Sequence, residues 1–313
     1  MLRPSNPADL VSLLLQAKPL PIVAYGRHSM ASGRGDALPW GDMVEEWLLN
    51  RGRHHTWVLS SRGMAMGLVC CCQYKSPSSW EIDLLHIAPG KERALEEMLE
   101  DLNIRLGRLG IERLVLRLPE DSALRPTIMD TGFTPLMREK LYVRSPGELG
   151  SVVVTEGENA HRPGQETDIY QLFKLYTASV PAPVRQMEGL TLNHWQQTPV
   201  NGDLPQEKRW VLEKDGQVTA AVTMVKGNGK RRMLEVLTNP RDPANVERLV
   251  AEALEAEGSR STLVTLLPEY LWGKCSVEKI LTDMDFRETA ALMVYVKPMV
   301  VRVRSVGMLP VRA

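Results

Sequence analysis

Apolar residues at Leu95, Met98, Leu99, Leu102, Leu106 and Leu109 recur at i, i+3, i+4 and i+7. That spacing predicts a long helix buried along one stripe. The stretch before it, Trp80 to Ile87, reads as a strand, and Pro89-Gly90 as a tight turn between the two. A strand feeding directly into a helix N-terminus offers an anion site, because the first amide N–H groups have no partner within the helix. Upstream, His54 to Val69 reads as a hairpin turning at Ser61-Arg62-Gly63. Its second arm continues through Cys70, Cys71 and Cys72 to a turn at Ser76-Pro77-Ser78. Downstream, Leu114, Leu116 and Leu118 alternate as in a strand, Ser122 to Thr131 forms a short helix, and Gly132-Phe133 turns into a last strand ending at Arg144.

The pattern then repeats. Trp57-Val58-Leu59 with Gly63 recurs 153 residues on as Trp210-Val211-Leu212 with Gly216, and the same offset relates Phe133 to Phe286 and Tyr142-Val143 to Tyr295-Val296. Arg3-Pro4 with Asp9-Leu10 recurs as Arg162-Pro163 with Asp168-Ile169. Matched landmarks in one order indicate a tandem duplication. The division is expected at 1–150, 151–299 and a tail of 300–313, with the junction in the Gly/Ser/Glu-rich stretch Ser145 to Gly157. In the first copy Asp9 opens a helix with Leu10, Leu13 and Leu14 inward. Gly26 to Trp40 then reads as a loop without periodicity, followed by a short helix carrying Val44, Trp47 and Leu48. In the second, a helix from Asp168 to Ala178 leads to a proline-rich loop at Pro181 and Pro183, and Trp210 to Val225 is the hairpin. Val246, Leu249, Val250, Ala253 and Leu254 form the buried helix stripe, and Leu263 to Leu267 and Leu292 to Val296 the last strands.

Composition narrows the class. The 313 residues are 43% hydrophobic and 24% charged, as in a soluble globular protein of two domains. Lys+Arg and Asp+Glu both number 38, so no net field draws the chain to nucleic acid. MLRPSNPADL lacks the apolar run of a signal peptide, and no apolar stretch reaches the roughly 18 residues of a membrane span. A cytoplasmic protein with no membrane partner is expected. Adjacent strand residues point to opposite faces, so the three consecutive cysteines read as buried thiols rather than a disulfide or a metal set. His54-His55 lacks companion ligands, so no metal site is expected. Arg34-Gly35-Asp36 reads as a turn.

The element order is a strand, two helices, three antiparallel strands, a long helix, a strand, a short helix and a strand. It resembles the GCN5-related N-acetyltransferase (GNAT) fold, an α/β architecture with a mixed, mostly antiparallel sheet flanked by helices. The residues carrying the resemblance are Arg3-Pro4 with Asp9-Leu10, Leu84 to Pro89 before the helix, and Gly132-Phe133 before the final strand. It extends over nearly the whole chain, twice, as two GNAT-like domains packed as a pseudo-dimer. It implies acetyl-CoA bound where the fourth and fifth strands part, its pyrophosphate on the turn before the long helix, and transfer of the acyl group to an amine. On this chain those positions are Ile87, Ala88, Gly90, Lys91, Arg93 and Ala94. The family turn, Arg/Gln-x-x-Gly-x-Gly/Ala, is shorter here and keeps one glycine, and Glu92, Glu96 and Glu97 crowd the first helical turns. In the second copy Asp242 reads as an N-cap with Pro243 at the first helical position, which closes that site. A tyrosine that protonates the leaving thiolate in the family is replaced by Ile128 and Leu281.

Glu81 and Asp83 stand on the strand where the family places its general base. Period-two alternation puts both on one face, opposite Ile82 and Leu84, to act as base or form a solvated strand face. His86 beside the cleft reads as an acceptor contact, a proton relay or a structural histidine, and Glu235 is the matching carboxylate of copy two. Arg27, His28 and Trp40 lie in the loop expected to line an acceptor pocket, and Tyr270 is the candidate thiolate acid of copy two. Two functions follow. One is an acyl-CoA-dependent N-acyltransferase acting on a small-molecule or peptide amine, with its CoA site in the first copy. The other is a catalytically inactive GNAT-like protein for ligand binding or assembly. A homodimer is compatible with either.

Overall fold

A computed structural model describes residues 2–5, 9, 22–32, 54–61, 64–88, 90, 92–147, 160–197, 207–226, 231–239, 246–258, 261–273 and 277–299. The first copy comprises β1 (Leu2–Pro4), β2 (Ile22–Tyr25), α1 (Arg27–Ser32), β3 (His54–Ser61), β4 (Met64–Gln73), β5 (Ser79–Ile87), α2 (Glu92–Arg108), β6 (Arg113–Pro119), α3 (Arg125–Asp130) and β7 (Thr134–Arg144). The second comprises β8 (Ala160–Pro163), α4 (Ile169–Ser179), α5 (Ala182–Glu188), α6 (Leu192–Gln197), β9 (Glu207–Lys214), β10 (Gln217–Lys226), β11 (Arg231–Thr238), α7 (Glu247–Glu257), β12 (Thr262–Pro268), α8 (Val277–Asp283) and β13 (Arg287–Pro298). The expected domain boundaries and the helices at Leu10–Leu14 and Val44–Leu48 fall outside the described residues, as do the Asp242-Pro243 cap and Arg34-Gly35-Asp36.

Among the described residues all thirteen strands join one sheet, in the order β1-β3-β4-β5-β6-β13-β7-β12-β11-β10-β9-β8, with β2 attached to β5. The two copies exchange their last strands. β13 runs antiparallel between β6 (Leu292 opposite Pro119, Pro298 opposite Arg113) and β7 (Leu292 opposite Glu139). β7 pairs in turn with β12 of the other copy, Leu263 opposite Arg144 and Pro268 opposite Glu139. Each half thus completes the other's sheet through backbone hydrogen bonds.

The stripe of α2 buries Leu95, Met98, Leu99, Leu102 and Leu106 against Trp57, Val69, Ile82 and Leu114. Each fully buried side chain contributes about 1.5–3 kcal/mol. Leu109 leaves that stripe: α2 ends at Arg108, and Leu109 lies in the following turn, 56% exposed. Leu249, Val250, Ala253 and Leu254 of α7 form the equivalent core with Trp210, Val222 and Leu263. The repeat of Arg-Pro with a later Asp has a shared physical basis. Arg162 holds Asp168 through two bonds of 2.7 Å, and Arg3 holds Asp9 at 2.7 and 2.5 Å, each a fork tying the first strand to the segment that follows it.

Two segments differ from their expected loops. Within Gly26 to Trp40, residues 27–32 form the helix α1, because its cap comes from a distant strand (below). The proline-rich segment is the helix α5, with Pro181 as N-cap and Pro183 in the first turn, where a missing N–H breaks no helical bond.

Candidate functional site

β5 and β6 pair in parallel over three residues only, Ser79–Glu81 against Arg113–Val115, and then part. Their gap is where the resemblance places the acyl donor, and β2 occupies it. Ile22, Ala24 and Tyr25 lie opposite His86, Leu85 and Leu84. Those same three residues face Leu68, Val69 and Cys70 of β4 on their other edge, so β2 lies on the edge turned toward β6. The chain continues close against β5, with Gly26 N–H donating to the Asp83 carbonyl at 2.8 Å. A Cβ at Gly26 would lie 2.4 Å from both Asp83 Cα and Oδ1, so only glycine fits this approach.

Glu81 and Asp83 serve α1. Asp83 Oδ1 accepts the Ser29 amide at 2.8 Å and Glu81 Oε1 the Arg27 amide at 2.9 Å, satisfying donors that a first helical turn leaves open. Both carboxylates are buried, not on a solvated face. The expected strict alternation also fails here: Ile82 pairs with Cys71 but Leu84 with Cys70, so Asp83 is the extra residue of a bulge. His86 is buried level with Ile22, Ile87 packs into the core under α2, and Ala88 N–H is spent on Met66 at 3.0 Å. Gly90 turns with φ 71°, Arg93 is exposed and Ala94 packs against the core. Lys91 lies outside the described residues. His55 stacks between Trp57 and Trp80 as a structural ring.

Behind Glu81 lies Arg117, absent from the sequence-based candidates and 0% exposed at its side chain. Its Nε donates to Glu139 at 2.7 Å, Nη1 to Glu81 at 2.5 Å and Nη2 to Tyr74 Oη at 3.2 Å. Burial opposes its charge, but Glu139, Tyr74 and Glu81 outweigh that and raise its pKa. Burial likewise pushes the Glu81 carboxyl up, more than Arg117 pulls it down. One signal was available: a lone arginine inside the apolar run of β6, Leu114 to Leu118. Cys72, Glu81 and Asp83 bring possible ligand atoms within 4.8 Å of one another. Both Glu81 oxygens and Asp83 Oδ1 already accept protein donors, and burial raises the Cys72 thiol most, so the trio is part of this network.

Tyr74 joins this network to a cleft between the copies. Arg27, Lys75 and Arg117 place their cationic groups 6.0, 5.9 and 5.4 Å from its ring centre. The facing wall comes from copy two. Lys75 Nζ pairs with Glu188 Oε1 at 2.6 Å, Arg27 Nη2 pairs with Glu235 Oε1, and Tyr176 Oη donates to Glu188 Oε2 at 2.6 Å. Trp195 stands 5.6 Å from the Tyr176 ring, and Tyr270 packs on the same cluster. Glu188 is presented at the end of α5, closed by Gly189 in the left-handed region at φ 61°. Arg27, Lys75 and Glu235 are surrounded by protein, and burial is the largest influence on each titration. Their side chains nevertheless keep 19, 30 and 39% of their surface open, so these charged groups line a solvent-reached cleft where the two copies meet. Glu235 is held below the usual carboxylate range, burial being outweighed by Arg27 and Lys75, and Tyr270 is pushed up by burial.

No family model and no curated protein matches the sequence. Solved structures do match the fold. A GCN5-related N-acetyltransferase from Sphaerobacter thermophilus overlays with a TM-score of 0.60 at 11% identity, covering 96% of this chain and 97% of that one. A tandem GNAT protein from the clavulanic acid biosynthesis pathway overlays at 0.53 and 11% identity, covering 95% and 98%. The chain has the tandem GNAT fold. A functionally unknown conserved protein from Staphylococcus epidermidis also shares this fold, with a TM-score of 0.54 at 10% identity, 74% of this chain and 91% of that chain being covered.

Within the GNAT fold the candidate residues separate into two groups. Glu81, Asp83 and His86 meet β2 and α1 in the first copy's gap, while Glu235 and Tyr270 face the cleft. Arg27 joins the groups, bonding Glu81 through its backbone and Glu235 through its side chain. Ile128 and Leu281, which stand where the family tyrosine is expected, are fully buried core residues. No helix among the described residues is long and apolar enough to cross a membrane.

Proposed function

We propose that this chain is a ligand-binding protein built on the tandem GNAT fold, with its site in the cleft between the copies, and that its first copy does not take acyl-CoA. The observation that carries the reading is β2 along Leu84–His86, on the β5 edge that the resemblance assigns to the cofactor. An acyl-CoA arm there has to displace a paired strand, break the Gly26–Asp83 bond and release the cap of α1. The residues of this gap do not fit the cofactor.

A second reading has its own support. Beyond Met233, β11 parts from β12, and Glu235 and Tyr270 flank that opening with a carboxylate and a phenol that keeps its proton at neutral pH. This favours N-acyl transfer in the second copy. Incubating the full chain with acetyl-CoA and a panel of primary amines, with free thiol as readout, separates the two. Ligand binding without transfer predicts no thiol release above the uncatalysed rate. Release abolished by Tyr270→Phe establishes transfer in copy two, and release abolished instead by Arg93→Glu establishes it in copy one.

A further inference from the structure

We propose that the inter-copy cleft binds a small zwitterion carrying both a free ammonium and a free carboxylate, the chemistry of an α-amino acid. This rests on the reading above that the cleft is the ligand site, and it names the ligand class.

The two walls carry opposite charge. Copy one supplies Arg27 and Lys75, copy two supplies Glu188 and Glu235, and each cation reaches across to one carboxylate. Removing one member of such a pair leaves its partner's charge unmatched, most severely for Glu188, whose side chain is 3% exposed. A ligand with only an ammonium competes for a glutamate and leaves Arg27 or Lys75 unmatched, and one with only a carboxylate strands a glutamate. A zwitterion replaces both partners together and conserves the charge of the cleft. Its carboxylate meets Arg27 and Lys75, while its ammonium meets Glu235 and Glu188.

The remaining lining suits the rest of such a molecule. Tyr74 adds an aromatic ring within 6.0 Å of both cations, and Tyr176 and Trp195 add a second aromatic surface. Trp195 Nε1 and Ser179 Oγ are buried without a hydrogen-bond partner among the described residues. Trp195 belongs to the aromatic surface itself, and Ser179 follows Tyr176 by three residues on the buried side of α4. An indole N–H donates only, and a ligand oxygen satisfies it. Buried polar groups in folded proteins are paired as a rule, so the unpartnered indole N–H on this aromatic surface points to a missing acceptor.

The test uses the full chain, calorimetry and thermal shift, and a panel of the twenty amino acids together with their decarboxylated and deaminated analogues, whether or not the parent binds. For L-phenylalanine the analogues are phenethylamine and 3-phenylpropionate. The expected result is saturable binding of at least one amino acid, with both analogues weaker by about tenfold or more. Glu235→Gln and Lys75→Met each weaken it comparably, their circular dichroism matching wild type. Failure of all twenty, or an analogue binding as well as its parent, overturns the zwitterion. If an analogue binds in a Glu235-dependent way while no amino acid does, the cleft remains the ligand site and only the ligand class falls. Amino-acid binding indifferent to both substitutions overturns the cleft itself.

Discussion

Replacing Arg117 with methionine tests the polar centre of the molecule. Methionine fills similar length but donates nothing, so bonds to Glu139 (2.7 Å), Glu81 (2.5 Å) and Tyr74 (3.2 Å) are lost together. Glu81 and Glu139 then stay buried with no cation between them. Breaking a buried pair on one side costs about 3–5 kcal/mol, far more than the pair is worth against an apolar replacement. The pH dependence follows from the direction of the Glu81 shift, which burial drives upward even with Arg117 present. A carboxyl whose folded pKa is raised binds its proton more tightly in the folded state. Its destabilising effect is therefore absent below the unfolded pKa of about 4.3 and grows as pH rises through the folded value. Urea melts at about pH 4 and pH 8 should show the Arg117→Met deficit largest at the higher pH and markedly smaller at the lower. Adding Glu81→Gln and Glu139→Gln should restore most of the loss, since the carboxamide oxygen introduced by Glu81→Gln still accepts the Arg27 amide. A deficit under about 1 kcal/mol at neutral pH, or one equal at both pH values, refutes the reasoning.

Other predictions concern the frame around the site. Gly26→Ala should cost about 1–3 kcal/mol in a urea melt, because its Cβ meets Asp83 backbone at 2.4 Å rather than a movable side-chain tip. Leu102→Ala should cost about 2–5 kcal/mol while Leu109→Ala stays within about 0.5, the first side chain being fully buried and the second 56% exposed. Asp168→Asn should cost about 1.5–3 kcal/mol, and more than Asp9→Asn, because Arg162 is the less exposed of the two arginines. That contribution fades in acid, since Asp168 is held below the usual range chiefly by Arg162 and loses its charge as pH falls through the lowered value. Ending the chain after Phe286 removes the strand between β6 and β7, so the product should be insoluble, whereas residues 1–150 and 151–313 expressed together should assemble.

Local pattern carried the elements but not their partners. The α2 stripe was visible because its i, i+3, i+4 spacing is itself local, and the Arg-Pro…Asp repeat because each arginine and its aspartate are six residues apart. α1 was hidden in a Gly/Ser-rich stretch because what caps it is Asp83, 54 residues away. The cleft was beyond reach for the same reason on a larger scale: Arg27 and Glu235 are 208 residues apart, and nothing in periodicity pairs them. Strand exchange is likewise silent in the sequence, since alternation fixes which face a strand buries and not which neighbour it takes. Arg117 alone left a trace, as a charge inside an apolar strand.

Calorimetric titration of acetyl-CoA into the full chain tests most directly whether β2 closes the first copy. With Leu84–His86 already paired to Ile22–Tyr25, no saturable heat is predicted up to millimolar ligand. Saturable one-to-one binding that disappears in the Lys91→Glu, Arg93→Glu double variant would contradict it, because the cofactor would then be entering the first copy despite β2 in the gap between β5 and β6.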